Sequence, residues 1–125
     1  HHDLETSVPE WLNILVRFTE SAGGSIYVYD HDLGELYLRC TTGQHAHSTR
    51  IKQGTGLVGT CFSQRKTIIH NSDDSYDSHD GVIRNQMVCP MRLALSVVGV
   101  LAFHNKRSLG GFVQARAQIG VSKKA

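Results

Sequence analysis

The chain has 125 residues, enough for one domain with its own core, and a formal net charge of +2 that gives no reason to expect nucleic acid as a partner. Hydrophobic content of 40% and charged content of 19% are ordinary for a soluble globular chain. No apolar run approaches the roughly 18 residues that suggest a membrane span, and with no signal peptide visible the expected location is the cytoplasm. The leading His1-His2 reads as an affinity-tag remnant, and residues 3–125 as a single domain cut from a longer protein. Cys40, Cys61 and Cys89 each lie inside an apolar segment with no Cys-x-x-Cys spacing, and read as buried, reduced thiols rather than redox or metal groups.

In chain order, Ser7 with Glu10 three residues on resembles a capping box, and Pro9 suits a first helical turn. Val8, Trp11, Leu12, Leu15, Phe18 and Ala22 recur at helical spacing, so the pattern predicts an amphipathic helix stopped by Gly23-Gly24. Ser25–Asp30 and Glu35–Cys40 are β-branched and aromatic runs around His31-Asp-Leu-Gly34, an antiparallel hairpin. Residues 42–47 read as loop, and Arg50-Ile51-Lys52 as a brief edge strand. The Gly54-Thr-Gly56 turn opens a short helix with Leu57, Val58, Cys61 and Phe62 on its apolar stripe, ending near Gln64 and Arg65. Thr67–His70 reads as a buried strand, and Asn71–Gly81, with Asp73, Asp74, Asp77 and Asp80, as a polar lid. Met87–Leu95 and Ser96–His104 read as two long strands around a tight bend, and Phe112–Gly120 as a final helix after Gly110-Gly111. Strands outnumber helices and short turns join most neighbours, which points to an α+β fold with an antiparallel sheet.

The pattern Gly54-Thr-Gly-Leu-Val-Gly59, Thr67-Ile-Ile, Arg84-Asn-Gln-Met-Val-Cys-Pro90 and Val98-Gly-Val-Leu101 resembles a GAF domain over residues 8–119. Arg84-Asn85 and Asn105-Lys106 are most similar to the regulatory GAF domains of cyclic nucleotide phosphodiesterases. The resemblance implies a six-stranded antiparallel sheet with the terminal helices on one face and a ligand pocket on the other. It implies no catalysis in this domain, a cyclic nucleotide (cyclic AMP or cyclic GMP) as allosteric ligand rather than a cofactor, and a homodimer through the terminal helices. Asn105, Lys106 and Phe112 match the phosphodiesterase signature, but its acidic pair falls on Arg116 and Ala117, so the Lys–Asp bridge cannot form as drawn.

Carried over residue by residue, the resemblance implies that Ser25 faces the purine and that Leu57 and Val58 meet the ligand through their backbone. Cys40 and Thr41 stand where cyclic-nucleotide binders place an aromatic and an acid, and Ala102 where some place an acid. Asp77, His79 and Asp80 fall in the lid and would supply its hydrogen bonds; the ligand would order the lid and shift the helix packing. The alternative from a different class is a GAF-fold dimerisation scaffold with a degenerate pocket that binds no nucleotide.

Other chemistries are weaker. Free N–H groups at the Gly54-Thr-Gly56 turn could hold a phosphate, or the turn could need glycine for sheet contact with Thr55 as cap. The aspartates lack the spacing of a calcium loop, and His45 with His47 has no evident third zinc ligand among His70, His79 and His104. Ser63 and Ser72 lie in no Gly-x-Ser-x-Gly elbow. The GAF-fold methionine sulfoxide reductases place reactive cysteines elsewhere than Cys61 and Cys89, and bilin attachment would need a cysteine beside His79.

Overall fold

The leading apolar period folds as helix α1, Leu4–Phe18, in a computed structural model that describes residues 4–43, 49–71 and 85–106. The helix starts earlier than the Ser7 signature suggests, leaving Pro9 inside it. It also ends four residues before Ala22, and the stop is local. The Thr19 hydroxyl donates to the Leu15 and Val16 carbonyls at 2.9 and 3.1 Å, and Glu20 takes a left-handed φ of 60°. Gly23 and Gly24 therefore do not end the helix; they lie within strand β1, Ser21–Asp30. Their missing side chains admit close neighbours. A Cβ on Gly24 would meet Val16 of α1 at 2.9 Å, and one on Gly23 would meet the His104 ring at 2.6 Å.

Five further strands complete the sheet: β2 Glu35–Thr42, β3 Arg50–Lys52, β4 Ile68–Asn71, β5 Asn85–Leu93 and β6 Ser96–Lys106. A single helix, α2 (Gly56–Gln64), separates β3 from β4. The order is β3-β2-β1-β6-β5-β4 with every pairing antiparallel, the expected α+β sheet. The β1–β2 hairpin closes on Asp30, whose carboxylate accepts from the Asp32 and Leu33 amides at 2.9 and 3.3 Å, an Asx turn. The β5–β6 hairpin turns tightly through Ala94, at φ 58°.

Alternation along the strands buries both faces. On the α1 face, Ile26, Met87, Cys89, Leu101 and Phe103 pack with Leu12, which is wholly buried. Trp11, Ile14 and Phe18 point away from that core and are exposed, so the apolar stripe of α1 is wider than the face it buries. On the other face, Tyr27, Leu36, Val88, Val100 and Ala102 pack with Val58 and Cys61 of α2. Two contacts seat α2 across the sheet. At one end Gly59 lies against the Lys52 carbonyl with no room for a Cβ; at the other, Arg92 Nη2 donates to the Arg65 carbonyl at 2.9 Å, capping the helix. The expected final helix at 112–120 and the lid beyond Asn71 lie outside the described residues.

Candidate functional site

Beyond α2 the second face turns polar, and strand register sets the arrangement. One row across the sheet pairs Ile68 with Val88, Val88 with Ala102, Ala102 with Ser25, and Ser25 with Thr41. The next row outward pairs His70 with Gln86, Gln86 with His104, and His104 with Gly23. Two hydroxyls and a His–Gln–His row thus share one corner of the face. Ser25 and His104 sit on neighbouring strands at diagonal positions, about 7–8 Å apart by sheet geometry.

Ser25 is wholly buried and its hydroxyl lies 2.9 Å from that of Thr41. Thr41 Oγ1 donates to the Gly24 carbonyl at 3.2 Å, so the proton between the two hydroxyls comes from Ser25. Ser25 Oγ keeps lone pairs that this hydrogen bond does not use. His104 is buried, with its Nε2 over Gly23 and Gly43.

Not all of the expected site residues share this corner. Ser25 and Thr41 do. Cys40 does not: it packs into the α1-face cluster beside Ile26. The reason is a β-bulge. Ile26 pairs with Cys40 but Tyr27 pairs with Leu38, leaving Arg39 as the extra residue, and everything beyond it switches faces. Cys40 thus stands on the face opposite Ser25 and Thr41. Leu57 and Val58 open α2 and pack into the second-face cluster, Val58 buried and Leu57 partly so. Asp77, His79 and Asp80 lie outside the described residues. His70, Gln86 and His104 join this corner without having been among the expected ligand-binding residues. Their signal was the strand alternation Ala102–His104 and Gln86–Val88.

The Gly54-Thr-Gly56 turn is built largely on its own backbone. The Gly54 amide donates to the Gly59 carbonyl at 2.9 Å and the Thr55 amide to the Lys52 carbonyl at 3.1 Å. Thr55 occupies the N-cap position but its side chain makes no capping bond. Only the amides of the helix start proper, at Gly56 to Val58, retain the orientation that suits an anion.

The two buried thiols, Cys61 and Cys89, are chemically quiet. Burial pushes the Cys61 thiol up to about 12, with neighbouring Cys89 adding and Arg92 partly offsetting. Burial pushes Cys89 up to about 11 against a hydrogen bond from Thr67. Thiolate is the reactive form, so both are poor nucleophiles. No group of three or more His, Cys, Asp or Glu residues suited to a metal ion occurs among the described residues.

A GAF domain family model matches residues 1–116, and the chain belongs to that family, a small-molecule-binding and regulatory fold. No curated protein matches the chain. Among solved structures it is similar to the free methionine-R-sulfoxide reductase of Neisseria meningitidis in complex with its substrate, at 21% identity over 92% of this chain and 70% of that one, TM-score 0.74. It is also similar to the GAF domains of phosphoenolpyruvate-protein phosphotransferases from Acinetobacter (19%, 91% and 72%, TM-score 0.75) and Coxiella burnetii (17%, 94% and 75%, TM-score 0.74). At these identities the likeness is one of fold. No helix among the described residues is long and apolar enough to cross a membrane.

Proposed function

We propose that this GAF domain is a non-enzymatic sensor that takes a small polar ligand, a cyclic nucleotide, at the polar corner of its second face and passes occupancy to an attached catalytic domain such as a cyclic nucleotide phosphodiesterase. The observation that carries the reading is the Ser25–Thr41 hydroxyl pair beside the His70–Gln86–His104 row, on a face otherwise apolar. Buried polar groups are costly unless they are matched, and a cluster of them at one end of an apolar wall is how small-ligand sites fix orientation. The backbone start of α2 at Leu57 and Val58 would receive the phosphate, and Ser25 would accept from the base. Quiet thiols at Cys61 and Cys89 speak for binding over reductase chemistry.

The scaffold reading has its own support. Ser25 and Thr41 already satisfy each other, and α1 presents Trp11, Ile14 and Phe18 outward. Beside Trp11 and Ile14 runs a shallow groove of about 380 Å³ lined also by Ser7, Val8 and Glu10. A second copy packed there would form the homodimer through terminal helices.

Thermal unfolding with cyclic AMP, cyclic GMP and free methionine sulfoxide, each titrated to millimolar, separates the readings. A ligand that binds only the folded state adds roughly 2.7 kcal/mol at a hundredfold excess over its dissociation constant. A saturable rise with one nucleotide, lost in Ser25→Ala, supports the sensor. A rise with methionine sulfoxide alone overturns the nucleotide. No rise with any of them leaves the scaffold.

A further inference from the structure

Of the six large hydrophobic side chains exposed among the described residues, three lie on α1 and the other three, Leu33, Leu93 and Leu95, gather at one end of the sheet. Leu33 sits in the β1–β2 turn, Leu93 ends β5, and Leu95 lies in the β5–β6 turn. These turns are neighbours because β1 and β6 pair directly. From the last shared pair, Val28–Gly99, it is four residues up to Asp32 and four residues back to Leu95, so the two tips stand level. Leu95 is 93% exposed and Leu93 70%.

Turn chemistry makes the apolar tip more informative. Ala94 holds a left-handed φ of 58°, a position where glycine or asparagine is the cheaper residue. The sequence instead keeps Leu93-Ala94-Leu95 at the most exposed point of the hairpin. A local rule broken without a folding gain marks a site retained for contact.

Its flank is cationic. The bond from Arg92 to the Arg65 carbonyl brings Arg65, Lys66 and Arg92 together beside the hairpin, all three exposed. None of them makes an ion pair among the described residues. Asp30 and Glu35 of the adjoining hairpin are occupied by Arg50, at 3.0 and 3.2 Å, which leaves Asp32 as the remaining carboxylate of the tips. Leu33 on one turn and Leu93 with Leu95 on the other all stay largely exposed, so the tips do not bury one another. A protein partner would need a matching cavity, whereas the interface of a bilayer deforms around an apolar point and offers phosphates to flanking cations.

We propose that this end of the sheet is a peripheral docking site for an anionic lipid surface: Leu93 and Leu95, with Leu33 beside them, enter the headgroup region while Arg65, Lys66 and Arg92 meet its phosphates. The contact is reversible and independent of the polar corner.

Vesicle flotation of the full chain tests it, using phosphatidylcholine vesicles with and without phosphatidylserine. Binding is expected to the phosphatidylserine vesicles and to weaken in high salt. Lys66→Glu should lower partitioning roughly tenfold or more, and Leu95→Ser should lower it as well. Both variants should keep the wild-type melting midpoint, since neither side chain is buried. The proposal is overturned by no binding to phosphatidylserine vesicles, or by binding that both substitutions leave unchanged. Association of the lipid-free protein with itself that Leu95→Ser abolishes would assign the tip to a second copy and likewise overturn it.

Discussion

At the scale of single residues, burial and charge partners decide the chemistry. Cys61 and Cys89 are thiols in an apolar interior, their ionisation pushed up to about 12 and about 11. For a group held neutral by folding, the stabilising contribution is complete below the unfolded value of about 8.5. It falls as pH rises through the folded value, because the unfolded chain releases its protons first. Urea midpoints should therefore decline from pH 8 to pH 10.5, and Cys61→Ser with Cys89→Ser should flatten that decline. Native protein at pH 8 should react slowly with iodoacetamide at both positions, and rapid labelling would reopen the reductase reading. Asp30 behaves oppositely. The hydrogen bond from Arg50 is the largest cause holding its carboxyl below the ordinary carboxylate range; desolvation opposes it, and the Asp32 and Leu33 amides add smaller lowering contributions. Its contribution is present at neutral pH and disappears as pH falls through that lowered value. An NMR titration should show Asp30 ionising below the ordinary carboxylate range, and Arg50→Ala should move it back up.

At the scale of elements, the informative residues are those where two elements touch. Leu12 is the wholly buried anchor of α1, and Leu12→Ala should cost about 2–5 kcal/mol in a denaturant titration. Trp11, one residue away but 48% exposed, should lose far less on truncation. Gly59 is the matching point for α2. A Cβ there meets the Lys52 backbone carbonyl and cannot be relieved by a side-chain rotation, so Gly59→Ala should destabilise by about 1–3 kcal/mol. If Gly59→Ala proves neutral, α2 can shift along the sheet without loss, and the seating described here is not tight. The sequence showed that a glycine-punctuated helix begins near Gly56. It did not show why the glycine at position 59 is needed, because Lys52 is brought to it by the β3 edge pairing with β2.

At the scale of the whole molecule, one sheet serves two layers. The α1 face binds the helix whose outer side carries Trp11, Ile14 and Phe18, and the α2 face carries the polar corner. If α1 is the dimer seam, sedimentation velocity should show a dimer, and Trp11→Glu with Ile14→Glu should return it to monomer with little change in stability. A monomeric wild-type chain at high micromolar concentration would remove dimerisation through this helix from the scaffold reading.

The amino-acid order alone determined the sequence of elements from β1 to β6, the α+β class and the short β3 edge, because alternation, helical periodicity and glycine turns are local signals carried by neighbouring residues; the family rested on the resemblance of its motifs. Tertiary structure decided what depends on pairing partners. The Gly23-Gly24 pair looks like a helix stop, yet it serves the close approach of Val16 and His104 within a strand. Cys40 and Thr41 are adjacent and looked equally placed for the site. One extra residue at the bulge, Arg39, sends Cys40 to the α1 face and Thr41 to Ser25, since a shift of one residue reverses every side chain beyond it. The His70–Gln86–His104 row exists only because three strands, β4, β5 and β6, meet in register on one sheet.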